Sequence, residues 1–261
     1  MVKKIVQHLE YDLKTFLGAI TFYTIIPLPL RWPQLFQQLA RWSPLLGILL
    51  GGGLGLADVG LNFLGFPIAI RSALIVAVWL VLTGGLHLDG AIDTADGLGA
   101  TDSARRLEIM QDSVTGAFGV IAAVVILGLK TIALSEITSY RWLVLMIAAG
   151  WGRWGQVAAI TFYPYLKPTG KGVFHKQSIQ LPQDLFLGLG SLLTLSGLLM
   201  LFNVHRWWLG VEVAVVGSTI AIITGFWFYQ RFGGHTGDTY GAVVEWSEAL
   251  ILSILTCWFI T

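Results

Sequence analysis

The chain has 261 residues, 55% of them hydrophobic and 12% charged, with a net charge of +1 and a mean hydropathy of +0.73. Soluble domains carry about 25% charged residues; half that share cannot clothe an aqueous surface, so much of the exterior must face lipid. No basic stripe points to nucleic acid, and the lone cysteine, Cys257, excludes an intramolecular disulfide and reads as inert packing.

The opening stretch MVKKIVQHLEYDLK has no signal-peptide pattern with a small-residue cleavage site, so the spans themselves are expected to direct insertion. Hydrophobic segments follow at 15–30, 43–65, 67–86, 117–135, 141–162, 184–204, 207–229 and 246–260. The first is short, ends in Pro27-Leu28-Pro29, and is predicted to be re-entrant or interfacial; the other seven are long enough to cross a bilayer. Trp32, Trp42, Trp142, Trp207 and Trp208 lie near predicted span ends, where indoles anchor at the interface. The 31 glycines suit close helix approach in lipid. No soluble domain, long linker or repeat interrupts the pattern. The sequence therefore predicts an all-α, polytopic transmembrane bundle, a single membrane domain over 1–261, with seven spans and a short N-terminal interfacial segment.

Loop charges give a sidedness. With a non-spanning first segment, one side collects Lys3, Lys4, Lys14, Arg31, Arg41, Arg105, Arg106, Lys167, Lys171, Lys176 and Arg231, and the other only Arg71, Arg141 and Arg206. The positive-inside rule then places the N-terminus and the polar loops in the cytoplasm.

Eight of the fifteen acidic residues fall in three short blocks on that side. In GGLHLDGAIDTADGLGA (84–100), Asp89, Asp93 and Asp96 are spaced i, i+4, i+7 and share a helical face within about 60°. Three carboxylates on one face near a membrane repel unless a cation neutralises them, and magnesium takes one or two carboxylates together with substrate phosphates. In ARRLEIMQDSVTGAFG (104–119), Glu108 and Asp112 follow Arg105 and Arg106. Guanidinium forks beside carboxylates suit a metal–diphosphate substrate, although Arg105–Glu108 also fits an ordinary i, i+3 ion pair. In RFGGHTGDTYGAVVEWSEAL (231–250), a glycine-rich turn precedes a helix and offers backbone N–H groups to an anion. Asp238 is either an N-cap or a site residue, and Glu245 and Glu248 stand at the mouth of the last apolar segment.

Arg153 lies inside a predicted span and is a functional candidate for that reason, whereas Lys130 can snorkel. Lys167, Lys171, His175 and Lys176 bring positive charge to the same side, and His87 and His235 are placed for acid–base work or for core hydrogen bonding.

HLDGAIDTADGL, RRLEIMQDSVTGAFGV, GRWGQ, PYLKPTGKG and GGHTGDTYGAVVEWSEAL resemble, in order, the signature blocks of the cobalamin-5'-phosphate synthase family, also called adenosylcobinamide-GDP ribazoletransferases. FLGAITFYTIIPLPL and ARWSPLLGILLGGGLG are similar to that family's opening segments. The chain departs from the pattern at Gln111, where a basic residue is expected, and at Lys167, where arginine is common. The resemblance implies an integral membrane enzyme that joins adenosylcobinamide-GDP to α-ribazole or its 5'-phosphate, releases GMP and uses Mg2+. Its implied surroundings are the lipid bilayer of the cell inner membrane, with a homo-oligomer or a complex with other cobalamin-assembly enzymes as partners, and no nucleic acid. On this reading Asp89, Asp93 and Asp96 hold the metal; Arg105 or Arg106 clamps phosphate, helped by Arg153, Lys167, Lys171 and His235. Glu108, Asp112, Asp238 and Glu245 are the candidates for general base. Two other readings compete. A CDP-alcohol phosphotransferase is echoed by Asp93-Thr-Ala-Asp96-Gly97, but Ala104-Arg105 comes too late for its signature. A cation-coupled transporter would carry its carboxylates near the midplane rather than at span ends.

Overall fold

The computed structural model describes residues 2–168, 170, 172–202 and 204–259. The described residues form helices and no β-strand: α1 (Val2–Tyr23), α2 (Ser43–Phe63), α3 (Ile68–Leu82), α4 (Leu86–Gly99), α5 (Arg106–Ile109), α6 (Ala117–Glu136), α7 (Arg141–Phe162), α8 (Val173–Ser178), α9 (Gln183–Phe202), α10 (Trp208–Phe232) and α11 (Gly237–Phe259). Six are long and apolar enough to cross a membrane: α2 with its 3-10 lead-in, α6, α7, α9, α10 and α11. The α3–α4 pair, bent by 91°, makes a seventh only when taken together. This is the expected all-α polytopic bundle.

Two boundaries differ from the sequence reading. The segment expected at 15–30 is the second half of α1 and the coil after it. Residues 3–10 are all exposed, with Ile5, Val6, Leu9 and Leu13 on one face and Lys3, Lys4 and Lys14 around it. This amphipathic pattern suits a helix lying in the plane of the interface. The segment expected at 67–86 ends earlier, with α3 at Leu82, and α4 begins at Leu86 after a sharp turn. Gly84 and Gly85 adopt φ of 60° and 69°, a left-handed conformation that costs glycine little, and the chain turns there. The turn gives α4 two functional faces: Asp89, Asp93 and Asp96 on one, and Ala91, Thr94, Ala95 and Leu98 on the other.

The centre of the bundle is α7, in which every residue from Ile147 to Thr161 is buried. It packs most extensively on α2, and the sequence shows how. Gly47, Gly51 and Gly55 recur every four residues; a Cβ on any of them would fall 2.4–2.5 Å from Ala149 O, Leu145 O or Trp142 Cβ. Small residues at this spacing let two membrane helices meet backbone to backbone, where dispersion and packing act without a hydrophobic drive.

The end of the bundle remote from α4 is held by a buried ion cluster. Asp58 of α2 accepts two hydrogen bonds from Arg141 of α7, both 2.8 Å, and Arg141 also donates to Ser72 and to the carbonyls of Leu134 and Ile137. Arg71 lies 3.9 Å from the same carboxylate. Replacing Asp58 with alanine leaves two buried guanidinium groups without their counter-ion, a loss of about 3–5 kcal/mol for a broken buried pair. We expect Asp58→Ala to lower the detergent-solubilised protein's thermal unfolding midpoint markedly; an unchanged midpoint would show that the cluster does not hold the helices.

Candidate active site

The other end of the bundle carries the site, and the crossing of α4 with α11 builds it. A Cβ on Gly90 would fall 2.6 Å from the Asp238 carbonyl oxygen, and one on Gly241 would fall 2.8 Å from the His87 carbonyl oxygen. The two glycines thus let the helices touch, which brings Asp89 and Asp238, 149 positions apart in the chain, to one cavity. The cavity is about 290 Å³, and α1, α7, α8 and the loop after α7 close its walls.

Hydrogen bonds between two loops set the position of Lys167. Leu166 N donates to His235 O and His235 N donates to Pro164 O, both at 2.8 Å. This short parallel pairing lays residues 164–167 against the start of α11, where Lys167 Nζ sits 3.0 Å from Asp238 Oδ2. Asp93 lies within electrostatic reach of Asp89, Asp96, Asp238 and Lys167, so four carboxylates face one described cation. The carboxylates of Asp89 and Asp93 make no hydrogen bond or ion pair among the described residues. Asp96 is engaged: its two oxygens accept from Gly116 N at 2.7 Å and Gly119 N at 2.8 Å, which caps the start of α6. No group of three or more His, Cys, Asp or Glu among the described residues converges as a metal cage. An oxygen-only set of two or three aspartates does fit a hard cation that completes its shell with substrate phosphate and water.

The floor of the cavity is polar but uncharged. His87, Gln156, His175 and Tyr240 are 1–4% exposed, and each has a side-chain atom with no hydrogen-bond partner among the described residues: both ring nitrogens of His87, Gln156 Oε1, His175 Nδ1 and the Tyr240 hydroxyl. Buried polar atoms are rarely left unsatisfied, so a polar ligand or ordered water belongs here. Tyr23, from the end of α1, stacks between the two imidazoles with ring centroids 5.9 Å from His87 and 5.8 Å from His175. Burial holds His175 neutral by pushing its pKa down to about 3.

Other candidates from the sequence stand elsewhere. Arg105 is exposed and makes the simple pair with Glu108 at 3.5 Å. Asp112 is exposed and closes a local turn on Val114 N. Arg106 Nη1 donates to the Arg231 carbonyl at 2.7 Å, outside the cavity lining. Lys171 lies outside the described residues. His235 is a core histidine: Nε2 donates to Gly225 O at 3.2 Å, so Nδ1 accepts from the Thr239 hydroxyl at 3.0 Å. Asp238 is not the N-cap of α11; Thr236 and Thr239 exchange side-chain-to-backbone hydrogen bonds of 2.8 and 3.2 Å. That cap starts α11 at Gly237, well before the apolar run, and so carries Glu245 and Glu248 into the bundle rather than to its mouth. There Lys130 Nζ lies 2.6 Å from both carboxylates, and Arg153 Nη1 lies 2.6 Å from Glu248. Lys130 therefore does not snorkel, and neither Glu245 nor Arg153 lines the cavity. Tyr23, Gln156, Tyr165 and Tyr240 were not singled out from the sequence, although all four fall inside its motif blocks.

Burial lowers the His235 pKa to about 4, against about 6.5 in the unfolded chain. Between these values the unfolded state binds more protons, so His235's neutral packing contributes fully above about pH 6.5 and is lost as pH falls through 4. The thermal unfolding midpoint should therefore fall between pH 7 and pH 4.5, and His235→Gln should flatten that dependence; an equally steep profile in the variant would assign the titration elsewhere.

Comparison with known proteins gives one consistent family. The cobalamin-5-phosphate synthase pattern matches residues 15–256. The chain is 57% identical over 244 residues to the adenosylcobinamide-GDP ribazoletransferase of Trichormus variabilis, covering 94% of this chain and 97% of that one. It is 50% identical over 239 residues to the Synechocystis enzyme of the same name (90% and 91% covered), and 38% identical over 249 residues to that of Desulfitobacterium hafniense (90% and 93%). No solved structure matches. A matching pattern over nearly the whole chain, with these identities, makes the protein a member of the cobalamin-5-phosphate synthase family.

Proposed function

We propose that the protein is an adenosylcobinamide-GDP ribazoletransferase acting through the cavity between α4 and α11. The observation that carries the reading is the cavity's division into a carboxylate rim and a neutral, unsatisfied polar floor. At about 290 Å³ it lies at the small end of ligand pockets. It has room for a nucleoside part of a substrate, while the corrin ring stays outside.

The ribose hydroxyl of α-ribazole, or of its 5'-phosphate, attacks the phosphorus bonded to cobinamide. The bond from that phosphorus to the bridging oxygen breaks, and GMP leaves with the oxygen. Of the residues weighed as general base, only Asp238 lines the cavity, and it takes the hydroxyl proton. Lys167, already beside Asp238, moves its ammonium onto a phosphate oxygen of the incoming diphosphate. Asp89 and Asp93 would hold Mg2+, which when bound supplies neutralisation of the diphosphate and of the charge developing on GMP. Asp96 keeps α4 and α6 in register behind them. The eleven basic residues on this side support a cytoplasmic face of the cell membrane.

The test is turnover by protein reconstituted in vesicles with adenosylcobinamide-GDP, α-ribazole 5'-phosphate and Mg2+, following GMP and corrinoid product by chromatography. Both products should form in equal amounts and vanish on chelation. Asp93→Asn should lower kcat about 100-fold or more, in line with loss of a preorganised electrostatic contact, with an unchanged unfolding midpoint. Wild-type turnover in that variant would sink the assignment of Asp93. Absence of both products from folded wild-type protein would sink the reaction.

A further inference from the structure

The face of α4 that turns away from the carboxylates does not complete the protein core. Ala95 and Leu98 of α4, Ile223 and Trp227 of α10, and Trp246 and Leu250 of α11 border a cleft of about 400 Å³ whose walls are almost wholly apolar. Ile223, Trp227 and Leu250 are 59%, 43% and 39% exposed, so no described part of the protein covers them. Because α10 and α11 are spans, this opening faces lipid. The wall also holds Thr94, 1% exposed, whose hydroxyl has no partner among the described residues.

The mouth of the cleft is cationic. Arg231 stands one helical turn beyond Trp227 and places its guanidinium 5.2 Å from the indole centroid. Arg106 meets the same turn of α10: its Nη1 donates to the Arg231 backbone carbonyl and its guanidinium lies 6.0 Å from the Phe232 ring. Its Nε is buried without a partner, and neither arginine has a carboxylate counter-ion among the described residues. A Trp-flanked apolar slot ending in two unneutralised guanidinium groups at the membrane surface complements a molecule with a hydrocarbon chain and a net negative phosphate head. A zwitterionic head brings its own cation and neutralises the pair poorly.

We propose that the cleft between α4, α10 and α11 is a binding site for an anionic phospholipid, with one acyl chain between Trp227 and Trp246 and the head-group phosphate on Arg231 and Arg106. The Thr94 hydroxyl is the donor available on the wall to a glycerol ester. The site is separate from the reaction cavity, since it uses the opposite face of α4, and it stands whichever reaction the cavity performs.

The experiment uses the full chain in vesicles of equal phosphatidylglycerol and phosphatidylcholine, extracted gently and read by native mass spectrometry. Wild-type protein should retain phosphatidylglycerol about tenfold over phosphatidylcholine, and exposed Arg231→Gln should cut that preference about fivefold, the scale of one basic side chain at an anionic surface. Ile223→Trp, also at an exposed position, fills the slot and should remove the retained lipid while leaving both arginines in place. Both variants are first required to unfold at the wild-type temperature. Equal retention of the two lipids by wild type would overturn the site. Retention of phosphatidylglycerol unaffected by Ile223→Trp would overturn the acyl-chain assignment.

Discussion

Four charges that neutralise one another inside the bundle set the geometry on which the site rests. Lys130 of α6 bridges Glu245 and Glu248 of α11, and Glu248 in turn holds Arg153 of α7. Taking these groups out of water is costly, and the cost is offset only while every partner is present. That requirement fixes the rotation of three helices at once. Gln156 stands three residues along α7 from Arg153, and Gly241 stands four residues before Glu245, so the network determines which side chains of α7 and α11 face the cavity. Lys130 is also seated against the Trp79 ring, 4.7 Å from its centroid, which draws α3 into the same arrangement.

Above the network the site is assembled from helix ends. Each end meets an elementary need of the backbone, and each solution aims a side chain. Asp96 satisfies the first N–H groups of α6 and thereby ties α4 down beside it. Lys176 donates to the carbonyls of Ile160 and Thr161 at the end of α7, which brings α8 and His175 over the cavity. Pro164 and Leu166 find backbone partners on the turn before α11, and Lys167 reaches Asp238 as a result. The negative rim is therefore a product of capping and docking as much as of the aspartates themselves.

The spans were legible because a hydrophobic run reports its own contact with lipid. The aspartates of α4 were legible because a period of 3.6 residues places them on one face whatever surrounds the helix. Glu245 was not. The partner that takes it out of consideration as a base, Lys130, is 115 positions away, and no local pattern reports such a pairing. Asp96 shows a related limit: its face was read correctly, but the amides it caps belong to another helix. Arg105 and Glu108 went the other way, since their i, i+3 spacing already described the pair they form. Tyr23 gave no signal, because one aromatic residue in an apolar stretch is indistinguishable from core until the imidazoles on either side are known.

Tyr23 has a further consequence. It is a wall of the cavity, yet it is carried by α1, whose residues 3–10 are exposed and present an apolar face of the kind that binds at a membrane interface. Between that exposed stretch and Tyr23, α1 is tied to the bundle by Asp12 on Arg41 and by Thr15 on Trp42. The position of the Tyr23 ring between His87 and His175 therefore depends on how α1 seats against the segment that leads into α2.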